Sequence, residues 1–292
     1  MSLYELFIAL RHLRSRRQSF LSTITIIAIV GVFLGVMALT SVVAVTGGFQ
    51  EAFRDRVLGV NSHILVLKYG IDFRDYPDVQ DDIEEIDGIE ATSPFILHEM
   101  IATHGRNTSG VLVKGIDPQT LHEVSDIPQY ADRSGLLKDL VYERFPDDGQ
   151  KETPKIILGD ALADELGVER DDVLRLTSPL EGLGADQWGA QNQSPTSQQF
   201  VVAGTYSSGF YEYDSRLVMT DYRALQDFFD QGDVVTGIDV RVEDVFAVES
   251  LKASIDSILP DGRFHSKDWR QLNHNLFTSL ELQRAVLAVL FL

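Results

Sequence analysis

The sequence predicts an α+β domain inserted between transmembrane helices, and hence a membrane protein. Three features carry this reading: residues 18–50 hold no ionisable side chain, a long acidic segment with mixed strand and helix patterns follows, and an apolar run closes the sequence. Across 292 residues, 25 Lys and Arg stand against 44 Asp and Glu, a net charge of −19. A surface that acidic repels phosphate, which excludes nucleic acid as a partner. The absence of cysteine removes disulfides, Cys-ligated metals and thiol nucleophiles from consideration.

At the N-terminus, Leu3, Phe7, Leu10 and Leu13 recur at helical spacing. Residues 1–18 therefore read as a cytoplasmic amphipathic elbow helix along the inner leaflet, with a plain tail as the alternative. Residues 19–50 read as the first transmembrane helix and its outer end. Phe20 to Val45 would extend roughly 39 Å at helical rise, against a hydrocarbon core of about 30 Å. The stretch is longer than the roughly 7–15 apolar residues of a secretory signal. Arg11, Arg14, Arg16 and Arg17 precede it and the next basic residue is Arg54, which puts the N-terminus on the cytoplasmic side. Gly31 and Gly35 form a small-residue pair that lets another membrane helix approach closely.

Residues 51–275 hold 20 Lys and Arg against 42 Asp and Glu, so the acidity lies beyond the span. Strands are expected at 63–68, 95–103, 109–115, 173–177, 199–205, 216–220 and 236–242, with a hairpin turn at His104–Asn107. Helices are expected at 78–87, at 161–166 capped by Asp160 and ended by Gly167, from Asp221 to Phe229, and from Asp244 with Val245, Val248, Leu251, Ile255 and Ile258 on its buried face. Residues 178–198 show no periodicity and are too long for an ordinary connection, so they read as a protruding loop that offers Leu180, Leu183 and Trp188 to a partner, with a linker whose Trp folds back as the alternative. Residues 276–292 turn apolar again and end in eight uninterrupted apolar residues. They read as the start of a second transmembrane helix truncated at residue 292.

No catalytic pattern emerges. Gly182, Gly184 and Gly189 lack both the dinucleotide fingerprint and the Lys-Ser/Thr of a phosphate loop, so no nucleotide site is expected in this chain. The seven histidines form no metal-ligand spacing, Ser207 and Ser208 lack a nucleophile-elbow frame, and the carboxylates spread along solvated faces.

Several short motifs occur in register with this topology: Leu6 to Arg11 with Leu13-Arg14, Leu34 to Leu39, Gly48-Phe49 with Leu58-Gly59, Asp87-Gly-Ile with Ser93-Pro94, Gly115 to Pro118, Ile157 to Gly159 with Leu166 to Val168, and Asp268-Trp269. Together they resemble the LolC/LolE family of the MacB/FtsX-like type VII permease superfamily. The resemblance implies a non-catalytic permease subunit in the bacterial inner membrane with its large domain periplasmic. It implies a second permease subunit, a cytoplasmic ABC ATPase that holds the ATP and magnesium, an acylated lipoprotein substrate and a periplasmic lipoprotein chaperone. It further implies that Leu39, Val42, Val43, Thr46 and Phe49 line the lipoprotein cavity, and that Leu180, Leu183, Trp188 and Pro195 form the chaperone hook, although 186–191 departs from the family's hook sequence. The charged residues Glu51 to Arg56 read as a stalk that transmits movement. The alternatives are a MacB-like efflux or FtsX-like permease, and a two-span periplasmic sensor.

Overall fold

The computed structural model describes residues 19–60, 62–70, 72–143, 152–179, 196–260 and 262–272, together with Tyr4, Ile8 and Leu282. The chain divides into two units, Met1–Asp55 and Arg56–Leu292. Helix α1, Ser19–Val60, occupies most of the first unit and ends in the second. Within it Thr23–Gly48, 26 residues, is long and apolar enough to cross a membrane. The side chains described along this stretch are exposed, apart from half-buried Leu39 and Thr46. Thr40 satisfies its hydroxyl by donating to the Val36 carbonyl at 2.9 Å, the back-bond a polar side chain needs in apolar surroundings.

Among the described residues the second unit holds nine strands: β1 Ile64–Lys68, β2 Ile89–His104, β3 Asn107–Ile116, β4 Lys155–Gly159, β5 Val173–Thr177, β6 Ser197–Tyr206, β7 Leu217–Asp221, β8 Gly237–Val242 and β9 Phe264–Asp268. They bond in the order β3-β7-β4-β6-β5-β2-β8-β1-β9, and β3 also pairs with β2. That extra pairing closes six strands into a ring and leaves β8, β1 and β9 as an antiparallel wing. Closure removes the exposed edges that a sheet of six would otherwise carry. The 16-residue β2 joins the two parts, because Ile89 to Phe95 pair with β8 while Phe95 to His104 pair with β3.

Side chains alternate between two apolar clusters, as the two-residue period of a strand requires. On β4, Ile156 and Leu158 join the larger cluster and Ile157 the smaller; on β7, Val218 joins the larger and Met219 the smaller. The helical elements described in the first half of the domain are α2 Tyr76–Glu84, α3 Leu121–Val124, a 3-10 turn Ile127–Tyr130, α4 Leu136–Leu140 and α5 Asp160–Leu166. Later come α6 Tyr211–Asp214, α7 Tyr222–Phe229, a 3-10 turn Val245–Ala247, α8 Val248–Ile258 and α9 Trp269–Leu272.

The α+β reading holds, with corrections in detail. Strand β2 begins six residues before the expected Phe95, since Pro94 reads as a breaker yet takes a place in the ladder opposite Ile238. Helix α2 runs earlier than 78–87 because Pro77 fits its first turn. Gly159, not Asp160, is the N-cap of α5; Asp160 is the first helical residue and accepts its neighbour Ala161 N–H at 2.7 Å. Gly167 ends that helix at φ +64°, as expected. Asp244 opens a 3-10 turn before α8, and Ile258 at the helix end is 44% exposed instead of buried. Strands β4 and β9 escaped the pattern: the first is apolar on both faces and the second, Phe-His-Ser-Lys-Asp, is a polar edge.

Candidate functional site

The five residues expected to line a lipid cavity, Leu39, Val42, Val43, Thr46 and Phe49, all fall on α1 at spacings that place them on one face. Val42 and Val43 are exposed, while Leu39 and Thr46 are half-buried. A Cβ placed on Gly31 or Gly35 would meet nothing within 4 Å, so the small-residue stripe is open to a neighbouring helix. The proposed hook residues Leu180, Leu183, Trp188 and Pro195 lie outside the described residues, as does the expected second membrane helix apart from Leu282. The stem of that loop is described. Thr177 pairs with Ser197 and the Ser178 N–H donates to the Thr196 carbonyl at 2.9 Å, so 180–195 connects two antiparallel strands held in register.

The structure concentrates its polar bonding elsewhere, at the root of α1. The last turn of a helix leaves carbonyls without intrahelical partners. Here the Gly59 carbonyl accepts the Asp126 backbone N–H at 2.7 Å. The approach is tight: a Cβ at position 59 would stand 3.2 Å from both the Asp126 Oδ2 and the Tyr130 hydroxyl, so those side chains would have to give by a few tenths of an ångström. Asp126 is in turn held by Arg241, whose Nη1 lies 3.0 Å from its Oδ1 while Nε lies 3.2 Å from Glu90. Three residues past Gly59, the Ser62 hydroxyl donates to Asp239 Oδ1 at 2.6 Å, and Lys114 Nζ meets the other oxygen at 2.7 Å. Asp239 and Arg241 sit two residues apart on β8, so both project from the same face toward the helix root.

Electrostatics explain why the Asp239–Lys114 pair is firm. The Asp239 side chain is 2% exposed and that of Lys114 16%, and the Lys114 ammonium also lies 5.1 Å from the centre of the Phe95 ring. An unpaired charge in that position would be costly, so each ion holds the other. His63, between Ser62 and β1, is buried; its Nδ1 accepts the Val242 N–H at 3.1 Å, which places the proton of the neutral ring on Nε2. Burial, reinforced by the Arg241 charge, lowers its pKa from the ordinary histidine value.

The way out of the domain lies beside the way in. Strand β9 runs antiparallel to β1, with Asp268 opposite Ile64, and the Trp269 N–H donates to the His63 carbonyl at 3.1 Å. The chain therefore enters through α1 and reaches α9 at the same end of two adjacent strands. A cleft of about 100 Å³ beside this junction is lined by Ser62, Phe95, Lys114, Asp239 and Leu272 among others. A larger one of about 370 Å³ opens between α3 and α4, walled by Ile127, Leu136, Leu137 and Ile157. Among the described residues no group of three or more His, Asp or Glu is placed to hold a metal ion.

Sequence reasoning missed Ser62, Lys114, Asp126, Asp239 and Arg241. A signal existed for two of them: Lys114 and Asp239 interrupt otherwise apolar strands, in Val-Leu-Val-Lys-Gly-Ile and Gly-Ile-Asp-Val. A charge set among core positions asks for a partner from another strand.

Residues 25–258 match the model of the MacB-like periplasmic core domain. The chain is 28% identical over 289 residues to the lipoprotein-releasing system transmembrane protein LolC of Neisseria meningitidis, covering 98% of this chain and 66% of that protein. It is 27% identical over 284 residues to LolC of Xylella fastidiosa, covering 97% and 64%, and 22% identical over 289 residues to LolE of Haemophilus influenzae, covering 97% and 65%. It thus spans just under two thirds of the length of these relatives. The periplasmic region of MacB from Actinobacillus actinomycetemcomitans superposes with a TM-score of 0.42 at 13% identity, over 76% of this chain and 94% of that one. The chain belongs to the family of the MacB-like periplasmic core domain, and along nearly its whole length it is similar to LolC and LolE proteins.

Proposed function

We propose that this chain is a non-catalytic permease subunit of an ABC transporter that extracts acylated lipoproteins from the inner membrane and hands them to a periplasmic chaperone. The observation that carries the reading is likeness along 97–98% of the chain to proteins named for lipoprotein release, LolC and LolE alike. The four arginines before the span favour a cytoplasmic N-terminus and a periplasmic domain. A partner ATPase supplies ATP and magnesium chemistry, and a second permease subunit approaches along the open Gly31–Gly35 stripe. Leu39, Val42, Val43, Thr46 and Phe49 give acyl chains an apolar surface, which lets them leave the bilayer without crossing water. Leu180, Leu183, Trp188 and Pro195, in the sequence between β5 and β6, offer apolar contacts to the chaperone.

The core-domain match also suits a MacB-like efflux permease, and the substrate separates the two readings. A photoreactive residue at Val43 in the assembled complex is expected to capture an acylated lipoprotein and not its unacylated form. Equal capture of both, or of neither, overturns the lipoprotein reading.

A further inference from the structure

The cleft between α3 and α4 has no role in the proposed transport, and its lining sets it apart from the rest of the domain. At about 370 Å³ it falls within the size range of small-molecule sites, roughly 300–1,000 Å³. Its walls are aliphatic: Pro118, Ile127, Leu136, Leu137, Val141 and Ile157, with no aromatic ring among the described lining residues. Val141 stays 41% exposed, so part of this apolar wall meets solvent.

The charge on the lining is of one sign. Arg133 and Lys138 contribute to it, and among the described residues no Asp or Glu does, although acidic residues outnumber basic ones by 42 to 20 over residues 51–275. Arg133 Nη2 donates to Asp139 and to the Ala203 carbonyl, whereas Nη1 makes no hydrogen bond among the described residues and Nε is buried without an acceptor. Lys138 is exposed and forms no ion pair among the described residues. An aliphatic wall asks for a flexible chain, since an aromatic guest would find no ring to stack on. Spare cationic donors ask for an anion, and a guanidinium matches a carboxylate better than any other small group.

We propose that this cleft binds a single-chain fatty carboxylate, with its chain against Leu137, Val141 and Ile157 and its carboxylate at Arg133 Nη1 and Lys138. The site belongs to the periplasmic core domain alone, and it holds whatever the chain transports.

The test uses the full chain in nanodiscs of zwitterionic lipid and a decanoate that bears a diazirine at its far end. Irradiation is expected to label residues 118–141 or Ile157. Unlabelled decanoate should displace the probe, and 1-decanol, equally long but uncharged, should compete at least about threefold more weakly, the weight of an exposed ion pair. Among competing carboxylates of increasing length, affinity should rise about fourfold per methylene and level off once the cleft is full, whereas partition into the bilayer keeps rising. Val141→Trp, which fills the open wall, is expected to abolish labelling, and Lys138→Gln at its exposed position to weaken it by about threefold. Lys138→Gln decides the matter where Val141→Trp does not fold. Lys252→Gln, which removes an exposed pair on α8, is expected to change nothing. Labelling confined to α1, labelling untouched by either variant, a length dependence without a plateau, or equal competition by decanol overturns the site. Stronger competition by decyl phosphate than by decanoate overturns the carboxylate and assigns the cations to a phosphate head.

Discussion

Replacing Lys114 with Met tests the firmness of the junction, because Met keeps most of the apolar stem and removes only the charge. In the native domain Lys114 Nζ lies 2.7 Å from Asp239, whose side chain is 2% exposed. Removing one partner strands the other as a buried ion, which costs about 3–5 kcal/mol. Part of that loss includes the ammonium's attraction to the Phe95 ring, 5.1 Å away, worth about 0.5–2 kcal/mol. In a unit of this size each kcal/mol moves the midpoint by about 2–4 °C, so the expected shift is roughly 6–20 °C. The double variant Lys114→Met with Asp239→Asn neutralises the stranded charge and keeps an acceptor for Ser62, and it is expected to regain most of the loss. Thermal and urea unfolding of the full chain, followed by tryptophan fluorescence, reads both, since Trp269 is buried beside the junction. A single variant costing under about 1 kcal/mol, or a double variant no better than the single, would refute the claim that this pair is desolvated and mutually dependent.

Other consequences follow from neighbouring residues. His63 binds protons more weakly in the native state than in the unfolded chain, as does His98, half-buried against Phe229, so the stabilising neutral forms persist above the ordinary pKa of 6.5 and stability falls as pH drops below it. Urea titrations from pH 8 to pH 5, compared with His63→Asn, should show a shallower acid slope in the variant. Gly115→Ala places a Cβ 2.8 Å from the Tyr222 Cα, a backbone atom that cannot step aside, and should cost about 1–3 kcal/mol in denaturant midpoint experiments. Asp221→Ala removes the cap of α7 and also the acceptor for the buried Tyr142 N–H, 2.9 Å away, for a combined loss of about 2–4 kcal/mol by the same assay.

Local patterns were legible where the physics is local. The α7 cap at Asp221, the left-handed Gly167 and the His104–Asn107 turn each follow from chemistry within a few residues. The ring closure was not legible, because nothing in β2 or β3 alone states that β3 will pair on its other side with β7, a hundred residues later, in parallel. Strand β4 hid for a related reason: buried on both faces, it shows no alternation to read. The apolar candidates on α1 were visible as a helical stripe, yet the bonds at the root of that helix were not. Gly59 meets Asp126 across 67 residues and Ser62 meets Asp239 across 177, separations no periodicity can encode.

That distribution bears on how the proposed permease subunit would do work. A membrane helix alone can only tilt, shift or rotate, and a sheet alone can only be carried. Force passes between them through whatever bonds are too costly to break during a stroke, and a junction of exposed pairs, each worth about 0–1 kcal/mol, would slip. The junction here has instead a buried carboxylate with two donors, a helix carbonyl met by a backbone N–H, and a second strand, β9, bonded along β1 where the chain heads out again. The chain passes from the root of α1 into β1 and heads out along β9, two strands bonded side by side. If β1 and β9 instead separate during transport, a cysteine pair placed across them at the Val66 and Ser266 register should impair release only when oxidised; a pair that stays together predicts full release in both redox states.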